Sequence, residues 1–226
     1  MGRKIFIIIP AFNEEKIIRK VLTDLKSHGY KNLIVINDGS TDRTAEIAKE
    51  AGAIVLEHVV NRGQGAALRT GIDFALAHGA DIIVTFDADG QHDPSDIPSL
   101  IAPIASGKAD ISLGSRFLGK KSNVSFAKKL VLKAGAVFLM AMYGVRLTDS
   151  HNGLRAMSAR AAKALELCSD KMEHASEIIE KIATKKLRYV EVPVTIKYTS
   201  YALADGQSPL AAIKIAFRML VNKLLR

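Results

Sequence analysis

The first half of the chain alternates short β-rich runs with amphipathic stretches, and this rhythm narrows the fold more than any other feature. The strand candidates are Lys4–Pro10 (KIFIIIP), Asn32–Asp38 (NLIVIND), Ala53–His58 (AIVLEH), Asp81–Asp87 (DIIVTFD) and Asp110–Arg116 (DISLGSR). Between them Ile17, Ile18, Val21, Leu22 and Leu25 recur at helical spacing, and Thr44–Ala51, Gly65–Ala77 and Ser95–Ala105 behave alike. Such units build a mostly parallel sheet, and near-continuous apolar runs suit strands covered by helices on both faces. The expected class is α/β.

The second half changes character. Asn123–Tyr143, Ser158–Leu167 and Glu173–Lys186 predict helices, and Leu187–Tyr198 predicts a strand whose Pro193 marks an edge or bulge. Ser208–Pro209 then supplies an N-cap and a first-turn proline. Leu210, Ile213, Phe217, Leu220 and Leu224 form the stripe of a C-terminal amphipathic helix. With no repeat or linker, residues 1–226 are expected to form one domain.

The net charge of +9 is unevenly spread. Residues 1–110 hold 12 Lys/Arg against 15 Asp/Glu, residues 111–148 hold 7 against none, and residues 149–226 hold 13 against 8. Nucleic acid is disfavoured, because no aromatic stacking series accompanies the basic stretch and Trp is absent. The single cysteine, Cys168, cannot pair within the chain, which points to a reducing compartment. No signal peptide is expected, and Leu130–Val145, interrupted by Lys133, falls short of the roughly 20 residues of a spanning helix.

In parallel α/β sheets ligands bind beyond the carboxyl ends of the strands. There lie Pro10–Glu15 (PAFNEE), with Asn13 a candidate cap for the next helix, and Asn37–Asp42 (NDGSTD), with Asp38 at the strand tip. Asp87-Ala88-Asp89 is the sharpest local feature. Carboxylates at i and i+2 of an extended segment share a side and repel, which a divalent cation relieves, and Gln91 could join. Oxygen ligands favour Mg²⁺ or Mn²⁺. Asn61–Gly65 is either a phosphate-cradling turn or ordinary glycine punctuation before a helix, and Asp149–Arg155 is a polar island.

Taken together, Pro10–Glu15, Ile36–Thr44, Asn61–Gly71, Phe86–His92, Gly114–Phe117 and Asp149–Met157 occur in the order and spacing of family 2 glycosyltransferases. The chain most resembles the branch containing dolichyl-phosphate mannose synthases and other polyprenyl-phosphate glycosyltransferases. The resemblance implies a GT-A fold, Rossmann-like and followed by C-terminal amphipathic helices. It also implies a nucleotide-sugar-binding half (1–110) and an acceptor- and membrane-facing half (111–226).

For the donor, the resemblance implies Pro10, Ala11, Phe12 and Glu14, then Ile36 and Asp38 near base and ribose, with Gln64 where relatives frequently carry lysine. Asp87, Ala88 and Asp89 would meet the donor diphosphate, with Asp87, Asp89 and Gln91 holding the metal. Asp89 and Arg116 are the catalytic candidates, Arg116 placed among phosphates. Arg116, Asp149, Asn152, Gly153 and Arg155 match the acceptor side. Glu177 resembles a recurring helix glutamate, and Asp205 before Gly206–Ser208 departs from the basic residue usual there.

The implied activity is inverting, metal-dependent transfer from a GDP- or UDP-linked sugar to a polyprenyl phosphate. The expected setting is cytoplasmic and peripheral on the cytoplasmic membrane face, with a homo-oligomer or a separate membrane-anchor subunit compatible. The basic, partly apolar segment 111–148 suits anionic headgroups and an isoprenoid tail. The alternatives are a family 2 enzyme with a soluble saccharide or protein acceptor, and a non-catalytic nucleotide-sugar or nucleic-acid binding module.

Overall fold

The computed structural model describes residues 2–118, 135–137, 140–149 and 152–197. Seven strands form one sheet: β1 (Ile5–Ala11), β2 (Asn32–Asn37), β3 (Ile54–Glu57), β4 (Ile82–Thr85), β5 (Ile111–Ser115), β6 (Arg155–Ser158) and β7 (Tyr189–Pro193). Their order is β3-β2-β1-β4-β6-β5-β7. All neighbours run parallel except β6, which is antiparallel to both β4 and β5.

The helices are α1 (Ile18–Ser27), α2 (Thr44–Glu50), α3 (Gln64–Ala77), α4 (Ile97–Ala105), α5 (Ala159–Leu165) and α6 (His174–Thr184). The apolar runs divide by the strand's period of two. Phe6, Ile8, Ile34 and Ile36 pack with α3, α5 and α6, while Ile7, Ile9, Leu33 and Val35 pack with α1, α2 and α4. Both faces of β1 and β2 are therefore dry.

Three local expectations are corrected. Pro10 lies inside β1 instead of ending it. The carbonyl of Ile8 accepts from Phe86 N (2.9 Å), and the next donor in that parallel ladder would be Pro10 N, so the proline ends the pairing with β4 while β1 continues along β2 to Ala11. Asn13 does not cap α1: it sits at φ 57°, and its side chain accepts from Thr41 N (2.9 Å) instead. Strand β6 was not expected, because four residues (RAMS) carry no readable alternation and Ser158 doubles as the N-cap of α5, accepting from Ala161 N (3.2 Å). Strand β7 lies at the sheet edge, as Pro193 anticipated, but it ends at Pro193 and does not run on towards Tyr198.

Of the helix expected over 123–143, the described residues 135–137 and 140–143 are helical; Val137 and Met140 are exposed, Ala136 is buried and Tyr143 packs on the core. Asp205, Gly206–Ser208 and the C-terminal helix lie outside the described residues. Among the described residues no helix is long and apolar enough to cross a membrane.

Candidate active site

Beyond β4 the chain leaves the sheet as Phe86-Asp87-Ala88-Asp89, with Phe86 and Ala88 buried and both carboxylates half-buried. Asp87 is held from two sides. Gln64 Nε2, at the first residue of α3, donates to its Oδ1 (2.9 Å), and His92 Nε2 lies 2.9 Å from its Oδ2. His92 stands edge-on to Phe86, with ring centroids 5.3 Å apart, and its backbone bridges to Ile196. The loop is further tied down by Lys197 N donating to Gln91 O (2.8 Å) and Thr195 N donating to Asp96 Oδ2 (2.6 Å).

Burial alone would push the Asp87 carboxyl up, but the His92 hydrogen bond and the positive charges facing it, Arg155 among them, outweigh it and hold the group below the ordinary carboxylate range. Asp89 is pushed the other way, by burial and by the neighbouring charge of Asp87. The pair thus carries the unresolved repulsion anticipated for it. Asp89 Oδ1 accepts from Gln91 N (2.9 Å). Among the described residues no three His, Cys, Asp or Glu side chains gather to hold a metal. A carboxylate pair of this kind suits a hard cation, whose shell substrate phosphates and water can complete.

The tips of β1 and β2 divide into two groups. Pro10 and Ala11 are buried, Glu14 is half-buried, and Phe12 stands 46% exposed beside them. Ile36 does not reach the open tip: it is fully buried, with its Cδ1 2.7 Å from where a Cβ on Gly71 of α3 would sit. Its side chain is part of the core.

Asp38 is also engaged inward. Its Oδ1 accepts from Arg62 N (3.0 Å) and meets His58 Nδ1 (2.6 Å), and its Oδ2 accepts from Gly63 N (2.7 Å). His58 Nε2 in turn meets Thr70 Oγ1 (2.9 Å). Asp38 therefore fixes the loop 58–63 that delivers Gln64 to Asp87.

The glycines of Asn61–Gly65 make room for protein. A Cβ on Gly65 would lie 2.1 Å from Ser169 O, and one on Gly63 would lie 2.6 Å from Asp170 O. Ala66 N donates to that same Asp170 carbonyl (2.9 Å). The amides of Arg62, Gly63 and Ala66, which a phosphate cradle would need, are already bonded.

The residues expected on the acceptor side also face inward. Arg116 donates to Asp149 Oδ2 from Nε (2.6 Å) and from its backbone N (3.1 Å), and both residues are buried. Arg155 is buried on β6, its guanidinium lowered to about 10 by burial against the opposing charges of Asp87 and Asp149. Asn152 is buried, its Oδ1 accepting from Leu154 N (3.0 Å). Gly153 lies directly against the metal-binding candidates: a Cβ there would fall 2.1 Å from Asp87 Oδ2, and Thr85 Oγ1 donates to its carbonyl (2.6 Å). Gly153 thus brings the 152–155 segment against Asp87.

The sequence reasoning passed over His92, His58 and His174. His92 lay inside a quoted motif, yet no periodicity distinguishes the histidine that will fold back onto Asp87. His174 donates from Nδ1 to Lys171 O (2.7 Å) and is held neutral, its pKa lowered to about 4 by burial and by the charge of Arg155. Glu177 is not an ordinary exposed helix residue. Its two oxygens accept from Cys168 N and Ser169 N (2.8 Å each), seating the 168–170 backbone against the first turn of α3.

Comparison with known proteins agrees with this architecture. The model of the family "Glycosyl transferase family 2" matches residues 6–165. An uncharacterised protein of Methanocaldococcus jannaschii is 42% identical over 98% of this chain and 93% of its own length. A UDP-N-acetylglucosamine–dolichyl-phosphate N-acetylglucosaminyltransferase of Methanococcus voltae is 37% identical over 97% of this chain and 96% of its own. Among solved structures, glucosyl-3-phosphoglycerate synthase of Mycobacterium tuberculosis, in complex with Mn²⁺, UDP and phosphoglyceric acid, superposes with a TM-score of 0.74 at 22% identity. It covers 99% of this chain and 78% of that one.

Proposed function

This chain belongs to glycosyltransferase family 2, and from that premise we propose that it transfers a sugar from a nucleoside diphosphate to a polyprenyl phosphate at a membrane surface. The observation that carries the proposal is the Asp87–Asp89 pair, placed where the loop before β6 meets the end of β4 and braced by Gln64 and His92. The acceptor class is supported by relatives named for it: the M. voltae enzyme, and a dolichol-phosphate mannosyltransferase of Pyrococcus furiosus that is 34% identical over 85% of this chain. A UDP-linked donor is favoured by the M. voltae name and by the UDP in the solved neighbour.

In this reading Pro10, Ala11, Phe12 and Glu14 receive the nucleotide, with Phe12 offering an exposed ring face to the base. Asp87, Asp89 and Gln91 hold Mg²⁺ or Mn²⁺, which when bound neutralises charge on the departing diphosphate. Gln64 and His92 keep the Asp87 carboxylate turned to that task. Arg116 offers a guanidinium to the acceptor phosphate while Asp149 fixes its orientation. The acceptor phosphate is already an anion near neutral pH, so direct displacement at the anomeric carbon, with inversion, needs no strong general base.

The test is a panel of labelled UDP-N-acetylglucosamine, UDP-glucose and GDP-mannose with Mg²⁺ or Mn²⁺ and polyprenyl phosphate in phospholipid vesicles. Label should pass into the organic phase with a UDP sugar and be abolished by EDTA. Transfer to soluble saccharide or protein in place of lipid would overturn the acceptor, and EDTA-insensitive transfer would overturn the metal.

A further inference from the structure

We propose that Glu191, on the edge strand β7, is a positioning residue that sets Arg116 for the acceptor phosphate. This rests on Arg116 meeting that phosphate as proposed above. Glu191 belongs to none of the motifs that carry the family resemblance, and it touches none of the Asp87–Asp89 loop's hydrogen-bond partners.

The geometry is a closed network of hydrogen bonds around Arg116. The half-buried Glu191 carboxylate accepts from Thr148 N (2.9 Å to each oxygen), from Thr148 Oγ1 (2.9 Å) and from Asp149 N (3.1 Å). The Thr148 hydroxyl, having donated its proton to Glu191, accepts from Ser115 Oγ (2.6 Å), and Ser115 Oγ accepts from Phe117 N (3.2 Å). Asp149 then receives the backbone N and Nε of Arg116. Residues on both sides of Arg116, and Arg116 itself, are thereby referred to one carboxylate on another strand.

Tyr189 adds a second hold. It lies two residues before Glu191, on the same face of β7, and its hydroxyl accepts from Arg146 N (3.0 Å) and lies 3.3 Å from Arg146 O. One face of β7 thus grips residues 146, 148 and 149, the stretch by which the chain leaves the basic segment 111–148 and enters the site.

Every partner of Glu191 is a donor, and three of the four contacts converge on Oε1. Glu191→Gln keeps one acceptor oxygen but removes the charge and turns an NH₂ towards Thr148 N, which weakens the relay while preserving volume. Merely structural support would affect donor and acceptor kinetics alike. Positioning of Arg116 affects the acceptor alone.

The experiment uses the full chain with a UDP sugar and polyprenyl phosphate in vesicles. It measures KM for each substrate, kcat, and the slow hydrolysis of the donor by water. For Glu191→Gln we expect acceptor kcat/KM to fall by about tenfold to a hundredfold, with donor KM and hydrolysis within about twofold of wild type. Thr148→Val, which keeps the shape and removes the hydroxyl link, should show the same split at about three- to tenfold and carries the test if Glu191→Gln does not fold. Unchanged acceptor kcat/KM, or equal losses on donor and acceptor sides in a folded variant, would overturn the inference. Absence of lipid transfer by the wild-type chain would instead overturn the function proposed above.

Discussion

The two ends of the central sheet treat carboxylates in opposite ways. At the amino end, Asp110 precedes β5 and accepts from Arg160 and from the backbone N, Nε and a terminal nitrogen of Arg188 (2.9, 3.2 and 3.0 Å). Asp81 precedes β4 and accepts from Lys4 N (2.6 Å). At the carboxyl end, Asp87 and Asp89 stand two residues apart, and Asp89 is raised by burial and by its neighbour. The amino end is electrostatically satisfied, whereas the carboxyl end, although Asp38 there is fully bonded, leaves the Asp87–Asp89 pair in conflict. A fold tolerates such conflict where a ligand will relieve it, so the sheet separates a stabilising end from a working end.

The sharpest break of this comparison is Asp89→Ala. It removes repulsion and a proposed ligand together, so turnover should fall by about a thousandfold or more while the melting temperature stays equal or rises. A variant that loses stability along with activity would place Asp89 at the stabilising end. Gly153→Ala comes next. The new methyl would press on Asp87 Oδ2, so activity should fall about a hundredfold and Mn²⁺ affinity, read by titration calorimetry with UDP present, should weaken in parallel. Normal Mn²⁺ binding in that variant would separate Gly153 from the cation.

Ile36→Ala tests the boundary between the two ends. As a fully buried residue it should cost about 2–5 kcal/mol in denaturant unfolding, with donor KM unchanged below the transition. A raised donor KM with little loss of stability would return Ile36 to the nucleotide site.

This boundary also marks what the sequence could disclose. The sheet was legible because its strands are dry on both faces, and Asp87 and Asp89 stood out as candidates because parallel sheets bind ligands beyond their carboxyl ends, whereas Phe12 entered only through the family resemblance. The burial of Ile36 against α3 and the inward bonds of Asp38 were not legible, since a motif gives sequence neighbours but not which face of a strand tip is covered by a helix or claimed by a loop amide. Strand β6 and the roles of His92, Glu177 and Glu191 were hidden for a related reason. Each depends on contacts between segments that no local period records, as when Glu191 meets Thr148.

The smallest expected effect concerns the satisfied end and its response to acid. Hydrogen bonds from Arg188 and Arg160, with the charge of Arg160, hold the Asp110 carboxyl well below the ordinary carboxylate range. A lowered folded-state pKa means that Asp110 stabilises the fold fully above the unfolded carboxylate pKa of about 3.9, and that this contribution is lost as pH falls towards the folded value. Asp110→Asn removes the charge but keeps one acceptor oxygen. The urea midpoint of the variant should therefore lie below wild type at pH 7, and the gap should narrow progressively between about pH 4 and pH 2. Donor and acceptor KM at pH 7 should not change, because Asp110 sits at the far end of the sheet from Asp87. A gap that stays constant with pH would mean that Asp110 contributes packing and not charge, and the contrast between the two ends would then rest on Asp87 and Asp89 alone.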